Sequence, residues 1–207
     1  MAENIVLKDI IFDRIYTIDR RDISNEFIYA ESNNNILAFI TKKNPTHIKI
    51  FNIEEKKIIR NISARYNINL IRFNPSNNFE IACASIEKKF IIINFENENE
   101  NKIIKKEKQS YGGTTNSIVW NPDCTKIAYN SDKNIIIWNI LTDKQEGKTL
   151  TGHSKTIQTI DWNDNKIISG GKDKIIIWDV ENNFNKTEIK YNHHYMNIKK
   201  YYCFLRM

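Results

Sequence analysis

Cysteine is scarce in this chain and poorly placed for pairing. Cys83, Cys124 and Cys203 are the only three, and no C-x-x-C pair occurs. That argues against a disulfide framework and against a structural zinc site. A reducing compartment, cytoplasm or nucleus, is the expectation. Long apolar runs are missing too. The opening MAENIVLKDIIFDR holds no apolar stretch of signal-peptide length. No segment approaches the roughly 20 apolar residues that a spanning helix needs. The sequons at Asn61 and Asn185 therefore carry no weight. Catalytic and ligand motifs are equally thin. There is no G-x-S-x-G elbow and no G-x-x-x-x-G-K-[ST] loop. His193 and His194 stand without Asp, Glu or Cys at ligand spacing. No enzyme activity, metal or cofactor is expected.

Helical periodicity is nearly absent. The chain is written as runs of apolar, β-branched residues separated by Asn, Asp, Ser, Gly and Lys, which is the pattern of short strands and turns. Isoleucine and asparagine together supply about a third of the residues. AT-rich coding accounts for such a bias, so the Asn runs decide nothing. The isoleucines still matter physically, because a β-branched side chain favours the extended backbone. With 207 residues the chain is long enough for a sizeable core. Net charge is 31 − 25 = +6. The lysines are scattered singly, and no stretch interleaves basic and aromatic residues densely. Nucleic acid is therefore the less favoured partner, and a solvated lysine-rich surface the preferred reading.

Strands at this spacing suit a sandwich, a barrel or a propeller, and an internal repeat chooses among them. In LIRFNPSNNFEIACAS, SIVWNPDCTKIAYNS and TIDWNDNKIISGG, Phe73, Trp120 and Trp162 align at gaps of 47 and 42. In HIKIFNI, FIIINF, NIIIWNI and KIIIWDV, Phe51, Ile93, Trp138 and Trp178 align at gaps of 42, 45 and 40. Two independent landmarks share one period, and that period is the length of a four-stranded blade.

The last full repeat, TGHSKTIQTIDWNDNKIISGGKDKIIIWDV, holds Gly152-His153 and Trp178-Asp179 with 24 residues between them. A GH and a WD at this spacing, enclosing two strands and a turn, resemble the WD-repeat β-propeller family. The likeness weakens toward the N-terminus. The third repeat ends in Trp138-Asn139 and has Tyr111 for His. The second has Ala64, Glu87 and Ile93 at the signature places. The first keeps only IKIFN. The resemblance implies an all-β chain, a propeller of four-stranded antiparallel blades with about four blades present. These run roughly 30–60, 63–108, 110–150 and 151–192 within a segment 1–180, and 181–207 supply an outer strand and a basic tail. Family members most often close with seven blades, so four imply an open arc, unless the chain closes as a small propeller, assembles with a second chain or is a fragment of a larger propeller. Residues 96–109, ENENENKIIKKEKQ, read as a loop between blades with an outer strand inside it.

The resemblance also implies roles. In the family, a Trp indole donates to a Ser or Thr hydroxyl, which reaches an imidazole, which donates to an Asp carboxylate. Carried over, these are Trp178, Ser169, His153 and Asp173, with Asp132 and Trp138 as the partial set of the third repeat. Asp132 precedes its Trp by six residues and Asp173 by five, so the last turn is expected to be one residue shorter. A Ser-His-Asp hydrolase reading is set aside, because such a set lies inside a blade and faces no substrate. Partner contacts in the family concentrate on one face. Mapped here they are Thr156, Gln158 and Lys172, then Thr114, Asn116 and Ser131, and more weakly Asn67 and Asn69. The implied function is a non-catalytic scaffold or adaptor that binds peptide or loop segments of other proteins within a multiprotein complex. The alternatives are an RNA- or ribonucleoprotein-associated propeller subunit, or a truncated fragment of a longer WD-repeat protein. No membrane is implied.

Overall fold

The computed structural model describes residues 27–87, 90–96, 102–104 and 115–190. The chain divides into two compact units, Met1–Lys108 and Gln109–Met207. Every described regular element is a strand.

The first unit holds two sheets. β1 (Phe27–Asn33), β2 (Ile36–Thr41), β3 (Asn44–Asn52) and β4 (Lys57–Ser63) pair in that order. β5 (Ile68–Asn74), β6 (Asn77–Ser85), β7 (Phe90–Asn94) and β8 (Lys102–Ile104) form the second antiparallel meander. The inner strands are apolar on both faces. In β2 five consecutive residues, Ile36 to Ile40, are buried, and in β6 Ile81 to Ser85 are. A strand covered on one side only would alternate. Ile40, Ile48 and Ile50 share one core with Ile71, Ile81, Cys83 and Ile91, so the two sheets cover each other. Polar bonds hold their rims. Arg72 of β5 pairs with Glu31 of β1 at 3.2 Å and lies over the Tyr29 ring, while Asn33 Nδ2 donates to Asn78 Oδ1 at 2.7 Å.

The second unit repeats the plan. β9 (Ile118–Trp120), β10 (Lys126–Ser131), β11 (Asn134–Asn139) and β12 (Lys144–Gln145) form one sheet. β13 (Ile157–Asn163), β14 (Lys166–Gly171), β15 (Ile175–Asp179) and β16 (Asn185–Ile189) form the other. Ile135, Ile137, Leu150, Ile160, Trp162 and Trp178 belong to one shared core. The Ser117 hydroxyl stitches the sheets together, donating to Ile160 O and accepting from Ile160 N–H at 2.9 Å.

The described residues are therefore all-β, four antiparallel sheets of four strands each. Both repeat landmarks find a place in it. Phe73, Trp120 and Trp162 lie on the first strand of their sheets. Phe51, Ile93, Trp138 and Trp178 lie on the third, opposite Leu37, Ile81, Ile127 and Ile167. Turn chemistry sets the corners. Asn34, Asp132 and Asp164 carry φ of 49°, 57° and 47°. Each opens a two-residue connection between ladder-paired strands, where positive φ is needed and Asn or Asp tolerates it. The outer strand expected between 96 and 109 is β8. The tail 191–207, with His193, His194 and Cys203, lies outside the described residues.

Candidate interaction rim

Each strand pair in the second unit turns over at one of two ends. One end carries the β10–β11 turn (132–133), the segment entering β13 (151–156) and the β14–β15 turn (172–173). The four residues of the signature set meet in the last sheet. Trp178 Nε1 donates to Ser169 Oγ at 2.9 Å, Ser169 Oγ lies 2.9 Å from His153 Nε2, and His153 Nδ1 lies 2.9 Å from Asp173 Oδ1. The second carboxylate oxygen accepts the Ser154 N–H at 2.6 Å and the Ser154 hydroxyl at 3.1 Å. Ser169 and His153 are buried, so each bond stands where an unmet polar group is costly. Partial burial alone would raise the Asp173 carboxyl. The bonds from His153 and the Ser154 N–H outweigh it and hold the carboxyl at about 2. Gly171 makes room for the junction, since a Cβ there would stand 2.5 Å from Asp173 Oδ1 and 2.9 Å from His153 Nδ1.

The ladder corrects the alignment of the two turns. Trp138 pairs with Ile127 and Ser131 with Asn134. Trp178 pairs with Ile167, and Gly171 N–H donates to Lys174 O. Both turns thus contain two residues, and the last is not shorter. Asp132 occupies the position of Lys172, and Lys133 that of Asp173. The two turns are written Asp-Lys and Lys-Asp. This explains why Asp132 and Trp138 do not join a second relay. Tyr129 fills the place of Ser169, fully enclosed, and burial pushes its hydroxyl up. Trp138 Nε1 instead reaches Asp143 Oδ1 at 3.4 Å, at the other end of the sheet. Asp132 Oδ1 accepts from the Thr156 hydroxyl at 2.5 Å, clamping the third sheet to the last.

The residues expected to meet a partner divide accordingly. Lys172 is exposed, and Thr156 and Gln158 are half-buried. Gln158 Nε2 donates to Thr156 O at 3.3 Å. Ser131 is wholly buried. As the counterpart of Gly171 it sits below the turn, so that turn presents Lys133 outward instead. Asn116 uses its amide on Ile157 O at 2.9 Å. Thr114 and Tyr111 lie outside the described residues. In the first unit Asn67 is bound to Glu87 through both its N–H and its amide, and Asn69 is half-buried on β5.

Asn130 went unread in the sequence. Buried on β10, it accepts from the N–H groups of Asn116 and Ser117 at 2.8 and 2.9 Å. It donates to Asp132 O at 3.2 Å and Ile157 O at 3.3 Å. It thereby fixes three rim segments at once. In a chain this rich in asparagine nothing in the letter itself separated it from a turn residue. Lys155, flanked by the bonded Ser154 and Thr156, was passed over as well.

Comparison with known proteins agrees with this geometry. The WD40 family, described as WD domain, G-beta repeat, matches residues 144–179. Meiotic fizzy-related protein 1 of Schizosaccharomyces pombe is 39% identical over 69 residues, 31% of this chain and 16% of that protein. Among solved structures, U3-55K superposes with a TM-score of 0.65 at 9% identity over 79% of this chain and 51% of that one. The RRP9 WD40 repeats give 0.66 at 9% over 79% and 50%. A chain of the mitotic checkpoint complex gives 0.63 at 12% over 77% and 50%. The chain spans about half the length of these solved chains and 16% of the curated relative.

Proposed function

We propose that this chain, whose residues 144–179 match the WD40 repeat, is a run of WD-repeat propeller blades and a non-catalytic scaffold that presents the rim of its second unit to other proteins within a multiprotein complex. The observation that carries this is the bonding beneath that rim. Asp132 is tied to Thr156, Asp173 to His153 and Ser154, and Asn130 to Asn116 and Ser117. Two turns and the segments entering β9 and β13 are thus held before any partner arrives, which reduces the ordering entropy that binding otherwise costs. Side chains on a stiff frame are where recognition concentrates. His153, Ser169 and Trp178 are buried and spend their polar atoms on one another, which supports a structural role for the relay. Cys83 and Cys124 are thiols rather than disulfide partners, which supports a cytoplasmic or nuclear setting.

The test is partner capture by the tagged full chain, read by mass spectrometry. Lys172→Glu should leave the melting temperature unchanged and lower capture. Leu141→Glu, at the exposed opposite end, should alter neither. Equal capture by wild type and Lys172→Glu contradicts the reading. The competing role, binding RNA, draws on the net charge of +6. It predicts affinity that falls steeply with salt.

A further inference from the structure

The two ends of the second unit carry opposite charge. At the rim, Lys133, Lys155 and Lys172 are all exposed. The rim's two carboxylates are spent inward, Asp132 on Thr156 and Asp173 on His153 and Ser154. None of the three ammonium groups is ion-paired with a described residue. Elsewhere in the unit Lys126 pairs with Glu146 at 2.6 Å, Lys166 with Asp179 at 3.3 Å, Lys174 with Glu188 at 2.7 Å and Lys186 with Glu188 at 3.2 Å, whereas Lys144 and Lys148 are exposed as the rim lysines are. At the opposite end the turns 121–125, 140–143, 164–165 and 180–184 expose Asp123, Asp143, Asp164 and Glu181 and contain no lysine.

The three lysines are held close together by their neighbours. Lys155 stands between Ser154, bonded to Asp173 beside Lys172, and Thr156, bonded to Asp132 beside Lys133. The two turns reach this arrangement in opposite sequence order, Asp-Lys and Lys-Asp, and in both the acid points in and the base out. The first unit, taken by itself, repeats the theme. Lys42 and Lys43 in the β2–β3 turn and Arg65 before β5 are exposed, while Glu87 is bound to Asn67.

We propose that the Lys133–Lys155–Lys172 rim docks an acidic peptide segment, its carboxylates meeting the three ammonium groups. This rests on the scaffold reading above and names its partner class. Peptide is favoured over nucleic acid by what surrounds the lysines. Among described residues 115–190 there is no arginine to fork onto a phosphate and no exposed aromatic ring on which a base could stack. Compact ammonium point charges and half-buried Thr156 and Gln158 suit carboxylates and backbone instead. Opposite charge at the far end orients the approach of such a segment and repels it from the wrong face.

The experiment uses the full chain and a fluorescein-labelled (Glu-Ser)5 peptide, with (Gln-Ser)5 and an oligothymidylate of equal length as further probes, read by anisotropy at low salt. Wild type should bind (Glu-Ser)5 and not (Gln-Ser)5. Lys155→Glu with Lys172→Glu should weaken binding by about tenfold or more. Lys57→Glu with Lys144→Glu, an equal charge change on other surfaces, should stay within about twofold. Equal losses in the two pairs overturn the proposal, as does tighter binding of the oligothymidylate lost in the rim pair. If no acidic peptide binds yet Lys172→Glu still lowers partner capture, the acidic class falls and the scaffold reading stands. If neither effect is seen, both fall.

Discussion

Ser169→Ala removes the oxygen to which Trp178 donates and which meets His153, leaving a buried indole N–H and an imidazole nitrogen unmatched. The expected cost is about 1–3 kcal/mol in urea unfolding, most of it recovered by Ser169→Thr, which keeps the hydroxyl. Equal midpoints for wild type and the alanine variant would refute the role. Gly171→Ala places a methyl within 2.5 Å of Asp173 Oδ1, an atom held by its own bonds. Melting should show a loss of about 1–3 kcal/mol, the range for crowding a packed site. Asp173 also sets a pH dependence. Its folded value of about 2 lies below its ordinary 3.8, so the unfolded chain takes up the proton first. The stabilisation is therefore present above pH 3.8 and is lost as pH falls toward 2. Its size is about 2 kcal/mol. Asp173→Asn should flatten the wild-type decline of stability across that window, and parallel curves would contradict the assignment.

At the scale of the element, the third strand of each sheet decides how much of this architecture was legible. Trp138 and Trp178 announce their strands because an indole inside an isoleucine run is rare. Phe51 and Ile93 fill the same ladder position with ordinary core residues, so only their spacing gave them away. The His153–Trp178 interval revealed the relay in the last sheet. What stayed hidden was register. Counting residues back from each Trp to the nearest Asp paired Asp132 with Asp173, whereas the ladder pairs Asp132 with Lys172. Sequence distance within a turn cannot show which of two residues folds inward. Trp178→Ala should cost about 3–5 kcal/mol, as for other buried aromatics. Peptides from 157–189 should lose amide protection ahead of those from β9 to β11. Uniform behaviour of all strands in the unit would show that the indole does not hold its own sheet.

The whole molecule has four described sheets of one design, and the rim proposed to meet a partner belongs to its second unit. Among the described residues, only the last sheet holds the complete relay. Tyr129, Cys83 and Phe39 stand where Ser169 stands in the others, and those sheets combine apolar packing with other polar bonds, such as those of Arg72, Ser117 and Asn130. The central claim is that the relay fixes the rim before a partner binds. Amide hydrogen exchange of the full chain, wild type against His153→Ala, tests it most directly. Faster exchange should appear at Ser154 and across 151–156 and 171–174, with β1 to β7 unchanged. Identical exchange at those rim amides, or equal loss throughout both units, would contradict it.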